Sequence, residues 1–558
     1  MWRQKFVLLG FIICFSLIIC KLFYWQFFKS GELANAASNQ YYFKLNLSAN
    51  RGQIMANDGS VLVTNKTAYL IYAEPKKIED KNSFSNTVSK ILDLDKEIIN
   101  NRLNQSEIFW VPIKHKVNET TCEELKNLNL KGLGFEKESQ RYYPEASLAA
   151  QLLGFVGNNE SGEDKGYFGI EGFYDLALKG KSGFLIREKD ASGNPILLGD
   201  EKRIPFEDGQ NLELYLDRSV QTIIEDNLKK GIEKYGASEG LVAVMDPITG
   251  GIIGMAATPS YDPSKFGEYD AQVYPNPIVA NTYEPGSTFK TLVMAAALNE
   301  KAVDVQTKFN EEGPIKIGQY YIRTWNDKYN GQLNMSQILE KSSNPGMVFV
   351  ANKLGKDKFI EYLNKFGIGK KTGIDLEEEA TSEIKAKDTW SDIDLATASF
   401  GQGIAVTPIQ MLQAVASLAN KGNLMEPQIV KKISDKNGKV IIKNPKIIGT
   451  TVDQKTAKMI TDMMVSAVDN GDAKWAKPKG YRIAGKTGTA QIPVAGHYDV
   501  QKTIASFVGF APADKPKFVI LVALREPQSS PWGSETAAPL FFNITKELFT
   551  YYGISPND

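Results

Sequence analysis

The sequence predicts an α+β chain: an antiparallel sheet covered by helices, preceded by an elongated mixed α/β domain and one transmembrane helix. Three observations predict it. Apolar strand-like runs lie at residues 240–256 and again at 506–524, with helical segments between them, and such segregation of strands and helices marks α+β domains. Residues 40–205 alternate short strand and helix patterns with polar turns. Phe6 to Phe28 is apolar almost throughout, matching the roughly 20 residues that a spanning helix needs. The 558 residues exceed what one hydrophobic core accommodates. The expected division is an anchor at 1–30, a pedestal domain at 40–205 and a catalytic domain at 212–555.

The anchor reading rests on flank chemistry. Lys21 can snorkel to an interface, and Tyr24 and Trp25 stand where belt aromatics lie. Arg3 and Lys5 precede the run, so the amino terminus is expected inside and the remainder outside. The exit is bulky and aromatic, with small residues only at Ala34 to Ala37, which favours an uncleaved anchor over a signal peptide.

In the pedestal, Phe43-Lys44-Leu45-Asn46-Leu47 alternates like a half-buried strand, and Asn57-Asp58-Gly59 is a turn leading into Val61-Leu62-Val63. Ile78 to Asn104 is helical in character, its later half carrying Ile91, Leu92, Leu94, Ile98, Ile99 and Leu103 at near-helical spacing. A second helix covers Ala149 to Leu153 and ends at Gly154-Phe155-Val156-Gly157. In the catalytic domain, Leu212, Leu214 and Leu216 alternate, and Asp217-Arg218-Ser219 opens a helix through Lys234. Gly240 to Met245 and Ile252 to Ala256 form a hairpin about Asp246-Pro247-Ile248-Thr249-Gly250-Gly251. Ser506 to Phe510 and Phe518 to Leu524 supply two more strands, and a helix from Ala537 to Leu548 closes the chain.

Composition narrows the chemistry. Lys plus Arg and Asp plus Glu each total 65, and nothing in that balance suggests a nucleic-acid partner. The two histidines exclude a histidine-rich metal site. His115 lies in a charged, surface-like stretch, and His497 in a Pro/Gly-containing loop. Of the three cysteines, Cys14 and Cys20 lie in the apolar segment and Cys122 stands alone, so this is no disulfide scaffold.

Three strings then carry chemistry in one order: Ser287-Thr288-Phe289-Lys290, Ser342-Ser343-Asn344 and Lys486-Thr487-Gly488-Thr489. Each alone is weak; a capping serine, a Ser-Asn-Pro-Gly loop and a solvated lysine on an edge strand are common. The ordered trio is the set used by active-site serine enzymes acting on penicillin-like and D-alanyl amides. Pro285-Gly286 places Ser287 in the first turn of a helix, with Lys290 one turn on. Serine needs a base, and with histidine nearly absent that base is Lys290. It must be neutral, and lowering a lysine from about 10.4 to about 7–8 costs about 3–4.5 kcal/mol. Burial, the helix dipole and Lys486 as second cation supply that. Ser342, at a helix end, can relay a proton to the leaving amine, and Asn344 can hold a substrate amide. On the strand, Gly488 gives room for a substrate backbone, while Lys486, Thr487 and Thr489 suit a carboxylate. The N–H groups of Ser287 and Thr489 are candidates for an oxyanion hole.

These residues resemble the penicillin-binding protein transpeptidases. Tyr283-Glu284-Pro285-Gly286-Ser287-Thr288-Phe289-Lys290 is similar to the nucleophile motif of the monofunctional class B branch, and Phe400-Gly401-Gln402-Gly403-Ile404-Ala405-Val406-Thr407-Pro408 to another of its stretches. Arg51-Gly52-Gln53-Ile54, Arg141-Tyr142-Tyr143-Pro144 and Gly169-Ile170-Glu171 look like pedestal motifs of that branch. Glu145-Ala146-Ser147 departs from it, standing where the family usually places a glycine. The resemblance implies a D,D-transpeptidase that cross-links peptidoglycan stem peptides through a Ser287 acyl-enzyme, is acylated by β-lactams and uses no metal or organic cofactor. It further implies a polytopic membrane glycan polymerase and other division proteins as partners. Ser506-Phe507-Val508-Gly509-Phe510-Ala511-Pro512 looks more like the septal, cell-division synthases; an elongation synthase is the nearest alternative. A β-lactamase would share the trio but has no use for the long domain before Leu212, and a non-catalytic division scaffold would not react with penicillin.

Overall fold

The computed structural model describes residues 2–34, 42–104, 110–188, 196, 201–494 and 497–556. It divides into two compact units, residues 1–51 with 179–209, and residues 52–178 with 210–558.

In the first unit, the helix Trp2–Phe23 continues into a π-helical turn, Tyr24–Phe28. This segment is long and apolar enough to cross a membrane, the only such one among the described residues. Tyr42–Leu47, Gly183–Glu188 and Glu201–Ile204 form a three-stranded antiparallel sheet in the order given.

The catalytic core of the second unit is a five-stranded sheet in the order Ile252–Thr258, Glu239–Met245, Phe518–Arg525, His497–Ala511, Ala484–Val494. Every neighbouring pair is antiparallel. The strand Phe518–Arg525 shows why helices cover both faces. Successive side chains of a strand point to opposite sides. Val519, Leu521 and Ala523 therefore enter the core that holds the Lys290–Asn299, Pro408–Ala419 and Gln454–Asn470 helices. Phe518, Ile520, Val522 and Leu524 enter the one built on Arg218–Tyr235 and Ala537–Tyr551. The Arg218–Tyr235 helix starts where the sequence places it, because Asp217 accepts from Ser219 N at 2.9 Å and Val220 N at 3.1 Å.

The rest of this unit holds a seven-stranded sheet. Its main path runs Val440–Ile442, Val430–Ser434, Asn211–Leu214, Ile54–Met55, Val61–Ala73, Val111–Val117, with Leu133–Tyr142 also on Val61–Ala73. Three elements differ from the sequence reading. The strand expected at 61–63 runs to Ala73, because beyond Val63 it pairs with two further strands. The helical stretch 78–104 is two helices, Lys81–Leu92 and Lys96–Leu103, broken at Asp93 with φ 50°. Gly154 to Gly157 does not only end a helix; Phe155–Asn158 pairs as a strand with Asp164–Tyr167.

Candidate active site

Ser287 lies on a 3-10 turn, Gly286–Phe289, that runs directly into the buried helix Lys290–Asn299. Three residues per turn eclipse positions i and i+3, so Ser287 and Lys290 stand one above the other. Thr288 Oγ1 donates to Pro285 O at 2.7 Å and Gly286 N to Gly401 O at 3.0 Å. Tyr283 and Val406 exchange two backbone hydrogen bonds of 2.9 Å. The Phe400–Pro408 stretch is thus the backstop of the nucleophile turn, a placement its composition alone does not reveal.

Lys290 is fully buried. Its Nζ donates to Ser342 O at 2.7 Å and Asn344 Oδ1 at 2.7 Å, and lies 3.2 Å from Ser342 Oγ. Burial pushes this lysine well below its ordinary value; Lys486 adds to the effect and Glu311 opposes it. The two 2.7 Å partners only accept, so a neutral amine spends its two N–H bonds on them and keeps its lone pair free.

Ser342 sits between the helices Met335–Glu340 and Asn344–Leu354, in the left-handed region at φ 52°. The motif follows a helix end, as the sequence suggests, and Asn344 also begins the next helix. Pro345 falls in its first turn, where a missing N–H costs nothing. Both ends of the Asn344 carboxamide are engaged within the protein, Oδ1 by Lys290 and Nδ2 by Arg323 O at 3.0 Å. These hydrogen bonds orient Lys290, and they leave one lone pair and one N–H of the carboxamide for the substrate amide that the sequence reading gave it.

Lys486 projects from the edge strand Ala484–Val494 and is 4% exposed. Its Nζ reaches Ser342 Oγ at 3.1 Å and Thr487 Oγ1 at 3.2 Å. Burial lowers it to about 8, against the pull of Asp472. Ser342 Oγ is thus held between two amines. The space beside Gly488 is filled from within: a Cβ there would lie 2.3 Å from Ser506 Oγ and 2.8 Å from Thr288 Cγ2. This glycine lets the strand close on the nucleophile turn, a packing reason distinct from the room for substrate that its sequence context suggested.

Ser287, Ser342, Asn344, Thr487 and Thr489 line one cleft of about 590 Å³, with both lysines buried behind it. Trp325 and Trp532, their rings 4.9 Å apart and edge-on, form part of its wall. Sequence reasoning missed these tryptophans, the cleft residue Asp472 and the buried Glu311, since none lies in a spaced motif. Thr489 Oγ1 accepts from Gly533 N at 3.0 Å. His115 pairs with Glu138 at 2.8 Å, and His497 opens the strand His497–Ala511 rather than standing in a loop. Among the described residues, no group of three or more His, Cys, Asp or Glu could hold a metal ion.

An alcohol above a buried amine, with a second alcohol between two amines, suits covalent acyl transfer by an active-site serine. Comparison with known proteins agrees. The penicillin binding protein transpeptidase domain profile matches residues 240–546, and the penicillin-binding protein dimerisation domain profile matches residues 46–214. Stage V sporulation protein D of Bacillus subtilis is 34% identical over 99% of this chain and 86% of its own length. The peptidoglycan D,D-transpeptidase FtsI of Escherichia coli is 29% identical over 95% of this chain and 87% of its own. The crystal structure of penicillin binding protein 2X from Streptococcus thermophilus superposes with a TM-score of 0.75 at 25% identity, covering 92% of this chain and 80% of that one. The chain belongs to the penicillin-binding protein transpeptidase family.

Proposed function

We propose that this protein is a serine-type peptidoglycan D,D-transpeptidase of septal wall synthesis, acting through Ser287. The observation that carries the reading is the hydrogen bonding of Lys290, whose buried amine is held by two obligate acceptors one turn on from Ser287. Lys290 takes the Ser287 proton as Oγ bonds to the carbonyl carbon of the penultimate D-alanine. The N–H groups of Ser287 and Thr489 receive the oxyanion, and Thr487 and Thr489 take the terminal carboxylate. Ser342 passes a proton to the departing D-alanine nitrogen and is recharged from the lysines on either side. An amine of a neighbouring stem peptide then attacks the acyl-enzyme carbonyl and gives up a proton, the bond to Ser287 Oγ breaks, and Lys290 returns a proton to that oxygen, which completes the cross-link. β-Lactams acylate the same serine.

In this reading, residues 40–205 are a pedestal, residues 212–555 the transpeptidase domain and residues 1–30 a single-pass anchor with the catalytic domain outside the cytoplasmic membrane. The partners are a polytopic membrane glycan polymerase and other division proteins. The Ser506 to Pro512 stretch, with its resemblance to the septal synthases, supports septal work over elongation. The likeness to a protein named for sporulation supports a second reading, work confined to that stage.

Intact-mass spectrometry after excess penicillin tests the chemistry. One adduct is expected on the wild-type protein and none on Ser287→Ala; an unmodified wild-type protein that is folded overturns the assignment. Depletion in growing cells tests the role. Filaments are expected, whereas round cells would point to elongation and normal growth to a sporulation-stage enzyme.

A further inference from the structure

Glu311 is a buried carboxylate that the chemistry above leaves without a task. It ends the short strand Lys308–Glu311 and is 1% exposed. Its two oxygens serve two different elements. Oε1 accepts a short hydrogen bond from Ser343 Oγ. Ser343 stands between Ser342 and Asn344, and its Oγ caps the Asn344–Leu354 helix by accepting from Gly346 N at 2.8 Å. Oε2 accepts from Asn330 N at 3.0 Å and Asn330 Nδ2 at 2.6 Å. Asn330 ends the segment carrying Arg323, Thr324, Trp325 and Asp327, which line the cleft. That segment is also tied to Asn344 through Arg323 O.

Ser342 is held in a left-handed conformation at φ 52°, which a non-glycine residue keeps only when its surroundings over-determine it. The conformation matters because it directs both the carbonyl and the hydroxyl of Ser342 at Lys290. We infer that Glu311 is a positioning residue: it fastens the Ser342-Ser343-Asn344 turn to the cleft wall and sets a negative charge behind that turn, facing Lys290. The inference rests on Lys290 being the base. Glu311 acts through that turn and touches no substrate.

The charged groups around the site are few. Lys486 faces Lys290 across Ser342, Asp472 stands near Lys486, and Arg323 pairs with Asp327 in the wall. Glu340, below the same turn, is occupied by Ser466 and Asn470. Glu311 is the carboxylate that raises the proton affinity of Lys290. Removing its charge frees the Lys290 lone pair at lower pH.

The test is the second-order rate of acylation by a fluorescent penicillin, measured from pH 5 to 10 on the full-length protein. In Glu311→Gln the acidic limb is expected to move down by about one pH unit, the scale of one buried charge acting on another, with a lower plateau as the turn loosens. In Asn330→Ala, whose side chain is exposed and uncharged, the carboxylate loses one donor and the limb moves up by a smaller amount. Limbs at the wild-type pH in both variants overturn the inference, whatever the plateau, because a purely structural residue changes only the plateau. If Glu311→Gln does not fold, the direction of the Asn330→Ala shift decides alone. A wild-type rate with no acidic limb, or one unaffected by Ser287→Ala, removes the underlying reading instead.

Discussion

Lys486 contributes to how stability depends on pH, because it is a buried cation with no ion pair among the described residues. Folding lowers it from the ordinary 10.5 to about 8. Between those values the unfolded chain binds the proton that the folded protein has released, so stability rises with pH across that window. Below about 8 both states are protonated and the full cost of burying the charge remains. A difference of about 2.5 pH units corresponds to about 3 kcal/mol. Lys486→Met is therefore expected to raise unfolding stability at pH 7 by up to about 3 kcal/mol while losing acylation, the usual trade at a site built for chemistry. Urea unfolding at pH 7, 9 and 10 checks this. The advantage must shrink as pH approaches 10.5; a gain constant with pH would mean that charge burial is not its cause.

The elements that meet at the cleft were legible to the extent that each is specified locally. Ser287 and Lys290 share a turn, and Lys486, Thr487 and Thr489 share a strand, so their order in the sequence carries their geometry. Glu311 was illegible because its tie to Ser343 joins distant positions with no periodicity between them. Ala146 is an intermediate case. The resemblance implies a glycine within Glu145-Ala146-Ser147, and Ala146 there takes φ 49°, a conformation glycine adopts without strain. The Phe400–Pro408 stretch was recognised without its reason, and Gly401 supplies one. Gly401 has φ 80°, and a Cβ there would stand 2.2 Å from Gly286 O and 2.7 Å from Gly286 N. Those atoms are the backbone of the nucleophile turn and cannot rotate away. Gly401→Ala is expected to displace that turn, costing about 1–3 kcal/mol from overpacking alone and at least about tenfold in acylation rate, since small misplacements are costly in catalysis. Stopped-flow acylation with a parallel thermal melt reads both, and a wild-type rate would show that the stretch does not hold Ser287 in place.

At the scale of the whole molecule, chain order conceals which parts depend on each other. Turn composition suggests separate folding before and after about residue 210, yet the sheets and cores run across that point. Asn211–Leu214 lies parallel to Ile54–Met55 and antiparallel to Val430–Ser434. Ile54, Leu62, Val63, Leu152, Ile170 and Leu178 belong to one core with Leu212, Leu292 and Met411. A fragment beginning at Gln210 would leave that apolar surface uncovered, and each large side chain stripped of its partners loses about 1.5–3 kcal/mol of burial. The cut that the packing tolerates lies elsewhere. Gln210 N donates to Ala177 O at 2.9 Å, and Gly52 N to Leu178 O at 2.8 Å, so residues 178 and 210 can be joined by a short linker. A chain of residues 52–178 linked through a few glycines and serines to 210–558 is expected to be soluble, to melt cooperatively and to label with penicillin at Ser287. The fragment 210–558 is expected to aggregate or to melt at least about 10 °C lower, since several kcal/mol are removed and each shifts the midpoint by about 2–4 °C. Equal midpoints for the two chains, with equal labelling, would mean that the shared sheet adds nothing to the stability of the catalytic core.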